Sequence, residues 1–505
     1  MKNQRIGVLC ALASTALIAS ACGSSKTASS ASTAAPATAA TTTGAVTTAP
    51  ATTAGASTTV PAATLGKQAD GTYLGKGKFT IDPKKCPSDW NISQGITDKE
   101  IKLFSSMPKS GPLAGFGLIA DGMNSYFKYI NDQGGVAGHT ISLDVKDDTY
   151  TADKTKANVD EALAAKQYAA MVTIIGTPNN LAIWDGTNKE CMPQLLNGTG
   201  AAQWGDVDAH PWTTGMQLDY SSEATLWVEW IKKTFPSGAK VAAVTYNNDF
   251  GKSYSKGLKH SIQGTKFTLV DEELHDATAP NVTNQMTTLA ATKADVLLIQ
   301  TTGAFCTQAM AEVDKGSWKP TVIMSGTCGS LTQFFKPLVD QGLTGAGTHI
   351  IQTFKDVNDP AYANDDFVKL FKATTAKQGL DPKQSTYATG WIFGWYMTKI
   401  LMDATKLNGG INKANIMIAA RSLNGTAGKT CAIATPGSDC VMPLLLDGLT
   451  GKMSGLDDAY LTEGGQMAEY TVTDPKALGT FKKVGDLLNL EGKLKNYDTV
   501  AAITG

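Results

Sequence analysis

Thr177-Pro178-Asn179-Asn180 follows an apolar, β-rich run and opens a stretch with helical character. Unpaired N–H groups at a helix start, with the Thr177 hydroxyl and the Asn179 amide beside them, can hold a carboxylate without a buried cation. Ordinary N-capping uses the same orphan donors, so both roles are open to these residues. Gly198-Thr199-Gly200-Ala201 also follows an apolar run, where glycines permit either close backbone approach to a ligand or a tight turn. Covalent catalysis finds no comparable foothold, because G-x-S-x-G, H-E-x-x-H and G-x-x-x-x-G-K-[ST] are all absent. The five histidines are scattered and no C-x-x-C occurs, so no metal site, no cofactor and no enzymatic activity are expected.

Such loops need a scaffold, and the composition supplies one. Of 505 residues, 42% are hydrophobic and 18% charged, enough apolar material for a sizeable core. Lys plus Arg (44) nearly cancels Asp plus Glu (45), and Arg5 and Arg421 are the two arginines. An Arg-rich basic patch for phosphates and base edges is missing, which excludes nucleic acid as a partner.

The chain starts with Lys2 and Arg5, a short apolar run from Ile6 to Ile18, and Ala19-Ser20-Ala21 before Cys22. This reads as a secretory leader over residues 1–21, its apolar run shorter than the roughly 20 residues that span a bilayer. The ending resembles a bacterial lipobox, which implies lipidation of Cys22; plain secretion is the alternative. Residues 22–66 then form a Ser/Thr/Ala-rich tether with little to bury, expected to be disordered. An exported chain anchored to the outer face of the cytoplasmic membrane follows from these features. Six further cysteines fit an oxidising compartment. Cys431 and Cys440 flank a turn-rich segment, Cys306 and Cys328 each follow an expected strand, and Cys86 with Cys191 follows by elimination. Six cysteines nonetheless allow 15 connectivities.

After a lead-in over residues 67–99, short apolar runs alternate with amphipathic stretches. Strands are expected at Ile101–Met107, Ile141–Lys146, Ala169–Ile175, Pro193–Leu196, Lys240–Tyr246, Phe267–Glu272, Asp295–Thr301, Thr321–Met324 and Thr348–Thr353. Helical spacing between them, such as Leu118, Met123, Tyr126, Phe127 and Ile130, argues for parallel βαβ units. Nine strands and a pattern that restarts at Lys240 point to an α/β fold with two Rossmann-like lobes, whose facing strand ends create a cleft.

The runs at 101–117 (IKLFSSMPKSGPLAGFG), 129–138 (YINDQGGVAG), 143–148 (LDVKDD), 175–182 (IGTPNNLA), 193–201 (PQLLNGTGA), 241–259 (VAAVTYNNDFGKSYSKGLK), 294–302 (ADVLLIQTT) and 318–326 (WKPTVIMSG) come in order. Together they resemble the periplasmic branched-chain amino-acid binding proteins, the type 1 solute-binding proteins that serve ABC importers. The resemblance implies two lobes joined by three crossover segments, with lobe 1 at 100–219 plus 355–450 and lobe 2 at 220–354 plus 451–490. Residues 425–465 depart from the family's pattern and look like an added surface loop.

A small organic ligand (an amino acid, an amide or a related carboxylate) held in the cleft and passed to ABC permease subunits is the implied function. The alternative is a sensory receptor of the same fold. By the same resemblance Phe116 and Phe250 supply rings to the ligand, Thr199 and Ala201 contact it after the fourth strand, and Thr302 and Thr327 contact it from the second lobe. Thr177 and Asn179 complete the expected set. Amino-acid binders of the family often carry an acidic residue near Thr327, yet no Asp or Glu lies between Lys315 and Asp340. A buried ammonium without a partner is costly. Either another carboxylate serves, with Asp249 and Asp219 as candidates, or the ligand is not a simple α-amino acid; the second reading is favoured. The aromatic run Trp391–Tyr396 is expected in the core rather than in a ligand cage.

Overall fold

In the computed structural model the described residues are 64–426 and 439–504. The expected leader, Cys22 and nearly all of the tether lie outside them, as does Cys431 of the expected Cys431–Cys440 pair. Three two-residue strands, β1 (Gly66–Lys67), β2 (Tyr73–Leu74) and β3 (Thr80–Ile81), form a small antiparallel sheet in the lead-in. A disulfide between Cys86 and Cys191, Cα atoms 5.6 Å apart, fastens that lead-in to the first lobe. Trp90 adds a hydrogen bond from its indole N–H to the Cys191 carbonyl at 3.0 Å.

The first lobe is built on β4 (Glu100–Met107), β5 (Thr140–Asp147), β6 (Ala170–Val172), β7 (Gln194–Asn197) and β8 (Thr213–Gly215), parallel in the order β5-β4-β6-β7-β8. Helices α1 (Leu118–Asp132), α2 (Ala152–Ala165) and α3 (Thr177–Lys189) make the crossovers. The chain then passes to a second lobe through α4 (Tyr220–Thr234), which Asp219 caps by accepting the Ser222 N–H. Four βα units follow: β9 (Lys240–Tyr246), α5 (Asp249–Ser261), β10 (Thr268–His275), α6 (Thr283–Ala291), β11 (Val296–Gln300), α7 (Ala304–Lys315), β12 (Thr321–Met324) and α8 (Lys336–Val339), before β13 (Thr348–Gln352). Val296–Gln300 is buried along its whole length, the mark of a central parallel strand covered on both faces. By contrast β10 forms the sheet edge, and its Asp271, Glu272 and Glu273 discourage further pairing there.

After β13 the chain returns to the first lobe for α9 (Asp366–Lys377), α10 (Ser385–Lys406) and α11 (Lys413–Ala420). Helix α10 lies hard against α1: a Cβ on Gly122 would sit 2.3 Å from the Tyr387 carbonyl oxygen, and one on Gly390 2.2 Å from that of Ile119. Trp391, Phe393, Trp395 and Tyr396 are buried in this lobe's core, with the Trp391 indole N–H donating to Ser125 Oγ at 3.0 Å. A third crossing leads to β14 (Gly464–Thr471) and β15 (Thr480–Asn489), before the closing helix α12 (Tyr497–Thr504). Both strands join antiparallel, giving a seven-stranded sheet in the order β10-β9-β11-β12-β13-β14-β15.

All nine expected strands form, and the parallel reading holds for them. The surface-loop reading of 425–465 needs correction over its described part. Met442, Leu444, Leu445, Leu446, Leu449 and Met453 are buried against the first lobe, as the apolar run at 441–446 (VMPLLL) demands.

Candidate functional site

At the carboxyl ends of both sheets lies a cavity of about 250 Å³, walled by each lobe and by the segments that cross between them. Phe116, Tyr150, Ile175, Gly176 and Gly198 line it from the first lobe; Tyr220, Glu223, Phe250, Thr302 and Thr327 line it from the second. The wall is mostly apolar with a few polar groups aimed inward, the usual character of a small-molecule site.

Of the expected contact residues, Phe116, Phe250, Thr302 and Thr327 face the cavity. Phe116 also meets Phe334 of the opposite lobe, ring centroids 6.1 Å apart. Phe250 stands edge-on to Tyr220 at 4.8 Å. Thr327 donates to Thr302 Oγ1 at 3.3 Å and lies 2.8 Å from Ser325 Oγ. The disulfide between Cys306 and Cys328, Cα atoms 6.0 Å apart, ties the start of α7 to the turn that carries Thr327.

Thr177, Asn179, Thr199 and Ala201 are buried behind the lining rather than in it. The Thr177 and Thr199 hydroxyls bond each other at 2.5 Å, drawing together the two loops whose Gly176 and Gly198 do line the cavity. Asn179 donates to Thr155 Oγ1 at 2.8 Å, and Thr155 in turn donates to the buried Asp148 carboxylate at 2.9 Å. Ala201 caps the short turn that places Trp204, whose indole N–H reaches the Thr199 carbonyl at 3.1 Å. Asp219 and Asp249, proposed above as alternative carboxylates, are also absent from the lining.

Two lining residues carry no signal that the sequence reading used. Tyr150 is held on a turn in which Thr149 (φ 49°) and Tyr150 (φ 61°) are both left-handed. Asp147 accepts the Thr149 N–H at 2.9 Å and Asp148 the Tyr150 N–H at 2.8 Å, which stabilises a backbone that non-glycine residues rarely adopt. Its ring sits against Gly176, where a Cβ would come within 2.7 Å of Tyr150 Cε2. The consecutive aspartates at the end of β5 favour a turn, but nothing in them says which way the tyrosine turns.

Glu223 is the other. It stands in the first turn of α4, where a glutamate is ordinarily a solvated residue that favours the helix dipole. Here it is buried, its Oε2 accepting the Tyr254 hydroxyl at 2.7 Å and its Oε1 the Gly326 N–H at 2.8 Å. Burial pushes its pKa up to about 7, with Asp219 adding to the rise and those two donors opposing it. Lys355, also in the lining, is committed to Asp447 at 3.2 Å and to Asp365 at 3.5 Å.

The lobes meet across the mouth of the cavity. Ser330 Oγ lies 2.8 Å from Ser385 Oγ, Thr332 donates to Gln384 Oε1 at 2.5 Å, and Thr386 donates to Gln333 Oε1 at 3.3 Å. These pairs join the turn after β12 to the start of α10, so the structure shows the lobes closed on each other. Among the described residues no helix is long and apolar enough to cross a membrane.

Residues 100–435 match the family model described as periplasmic binding protein. No curated protein matches the chain. Solved structures share its fold at low identity. One is a branched chain amino acid ABC transporter from Thermus thermophilus with bound valine (TM-score 0.65, 15% identity, 78% of this chain and 97% of that one). Another is a fatty acid ABC transporter substrate-binding protein from Thermomonospora curvata (TM-score 0.63, 20% identity, 82% and 98%). A third is a substrate-binding periplasmic protein from Ralstonia solanacearum (TM-score 0.62, 16% identity, 76% and 100%). With its two α/β lobes and three crossings, the chain belongs to the periplasmic binding proteins of type 1, a family that binds solutes rather than transforming them.

Proposed function

We propose that this chain captures a small organic ligand in the interlobe cavity and delivers it to an ABC importer, held at the outer face of the membrane by lipidated Cys22. The observation that carries the reading is the composition of the cavity wall. Each lobe supplies about half of it, so a bound molecule touches both at once and favours the closed arrangement over the open one.

Glu223 sharpens the ligand's chemistry. It offers the buried carboxylate that the Thr327 position lacks, from a different helix of the same lobe. A ligand with an ammonium or amide N–H beside an apolar body satisfies Glu223 and the aromatic wall together, which supports an amino acid or amide. Thermal denaturation of the full chain with a panel of amino acids, amides, aromatic carboxylates and urea tests the proposal. One class should raise the melting temperature, with calorimetry giving one ligand per chain. Absence of stabilisation by every small solute in the panel overturns it.

A further inference from the structure

Away from the cavity, three carboxylates converge where the chain enters and leaves the two antiparallel strands. Asp458 and Glu463 come from the segment before β14 and Glu491 from the residues after β15, and one oxygen of each lies within 4.8 Å of the others. Asp458 is 6% exposed and Glu463 4%. Glu463 accepts the Leu494 N–H at 3.1 Å and the Gly492 N–H at 3.3 Å. Glu491 accepts the Thr450 hydroxyl at 2.5 Å and pairs with Lys452 at 2.6 Å. Asp458 Oδ1, though buried, has no hydrogen-bond partner.

Three carboxylates against one ammonium leave two negative charges uncompensated. The Glu463 carboxylate accepts two backbone N–H groups, an arrangement that suits the ionised form. A doubly charged cation reconciles these facts, because it balances the charge and gives the orphaned Asp458 oxygen a partner.

We propose that Asp458, Glu463 and Glu491 bind a divalent cation, and that the cation is Ca²⁺. The donors are hard oxygens with no nitrogen or sulfur among them, and Ca²⁺ accepts irregular oxygen cages completed by carbonyls and water, whereas Mg²⁺ demands a tight octahedron. The site lies beyond residue 435, where the match to the family ends, and shares no residue with the cavity lining. It also sits on a crossing segment, since Thr462 bonds the Met216 carbonyl of another crossover at 2.6 Å. Binding there would brace the joint between the lobes.

The test is calcium titration of the EDTA-stripped full chain at pH 7.5, by calorimetry and by thermal denaturation. One Ca²⁺ per chain is expected, with a rise in melting temperature of about 3 °C at saturating CaCl₂. Asp458→Asn and Glu463→Gln should abolish both signals, while Glu223→Gln in the cavity should leave them intact. Should the buried variants fail to fold, Glu491→Gln at the edge of the cluster should still fold and weaken Ca²⁺ binding by about tenfold or more. The proposal is overturned if the wild-type chain shows neither heat nor a shift, or if Asp458→Asn responds like the wild type.

Discussion

Moving a carboxylate out of water disfavours its charged form, and Glu223 shows the consequence with two neutral donors and no cation bonded to it. Its pKa rises from an ordinary 4.5 to about 7 in the folded chain. The folded state therefore holds a proton that the unfolded state has released, and stability falls as pH climbs from about 4.5 through about 7. At 1.36 kcal/mol per pH unit this contribution amounts to about 3 kcal/mol. In denaturant melts between pH 4.5 and 8, the change in unfolding free energy should be larger in the wild type than in Glu223→Gln by that amount; an identical pH dependence would show that Glu223 is solvated. A ligand with an ammonium group must also displace this proton, so its affinity should rise with pH up to about 7 in the wild type and stay flat in the variant. Calorimetry in buffers of different ionisation enthalpy would read the proton released. Gly176 makes a second residue-scale case, because its φ of 101° and the Tyr150 ring both exclude a side chain. Gly176→Ala should weaken ligand binding by about tenfold or more, since the new methyl displaces Tyr150 from the wall. Gly134 is its control, with φ 99° and nothing within 4 Å of a Cβ. Gly134→Ala should cost about 1 kcal/mol of stability from backbone strain and leave affinity unchanged.

At the scale of elements, the second lobe's contribution to the cavity depends on the loops after β11 and β12, and the Cys306–Cys328 disulfide clamps them together. Closing a loop of 22 residues constrains the unfolded chain by about 3 kcal/mol in the chain-entropy picture. It also fixes Thr302 relative to Thr327. The double variant Cys306→Ser/Cys328→Ser should melt earlier and lose affinity, whereas replacing Cys86 and Cys191, which fasten the lead-in, should lower stability and leave affinity unchanged. Equal affinity losses in both would show that the bridges act only through global stability. The strands that bear these loops were legible because each is a run of four to eight apolar, β-branched residues between helical stretches. Others were not. Two-residue strands such as Tyr73–Leu74 present no period, and Thr480–Asn489 carries Lys482, Lys483, Gly485 and Asp486 in a half-exposed pattern that masks its alternation. The loop motifs located the cavity but not its surface. Thr177 and Thr199 were identified as polar groups after strand ends, yet they spend their hydroxyls on each other and leave the adjoining glycines to line the space. Glu223 was hidden for a physical reason as well, since a first-turn glutamate reads as solvated until the packing of α4 against Tyr254 and Gly326 is known.

For the whole molecule, capture and release turn on how strongly the closed arrangement is held when nothing is bound. Direct hydrogen bonds across the mouth contribute to closure independently of ligand, through Ser330 with Ser385 and Thr332 with Gln384. Each such bond is worth about 1 kcal/mol net. Too many would shut the empty protein, and too few would let ligand escape before delivery. A ligand enters only an open form, so bonds made solely in the closed form act on the escape rate. Ser330→Ala/Ser385→Ala removes the bond between them and the weaker contacts of Ser330 with Thr386 at 3.4 Å and of Ser385 with Thr332 at 3.1 Å, and should therefore raise the ligand dissociation rate by about fivefold or more and leave the association rate within twofold. Stopped-flow fluorescence would separate the two rates, using the tryptophans as reporters. Small-angle scattering of the ligand-free double variant should give a larger radius of gyration than the wild type, because its open population grows. If dissociation is unchanged while association slows, these contacts help form the mouth of the open state, and the lobes are held shut by the ligand alone.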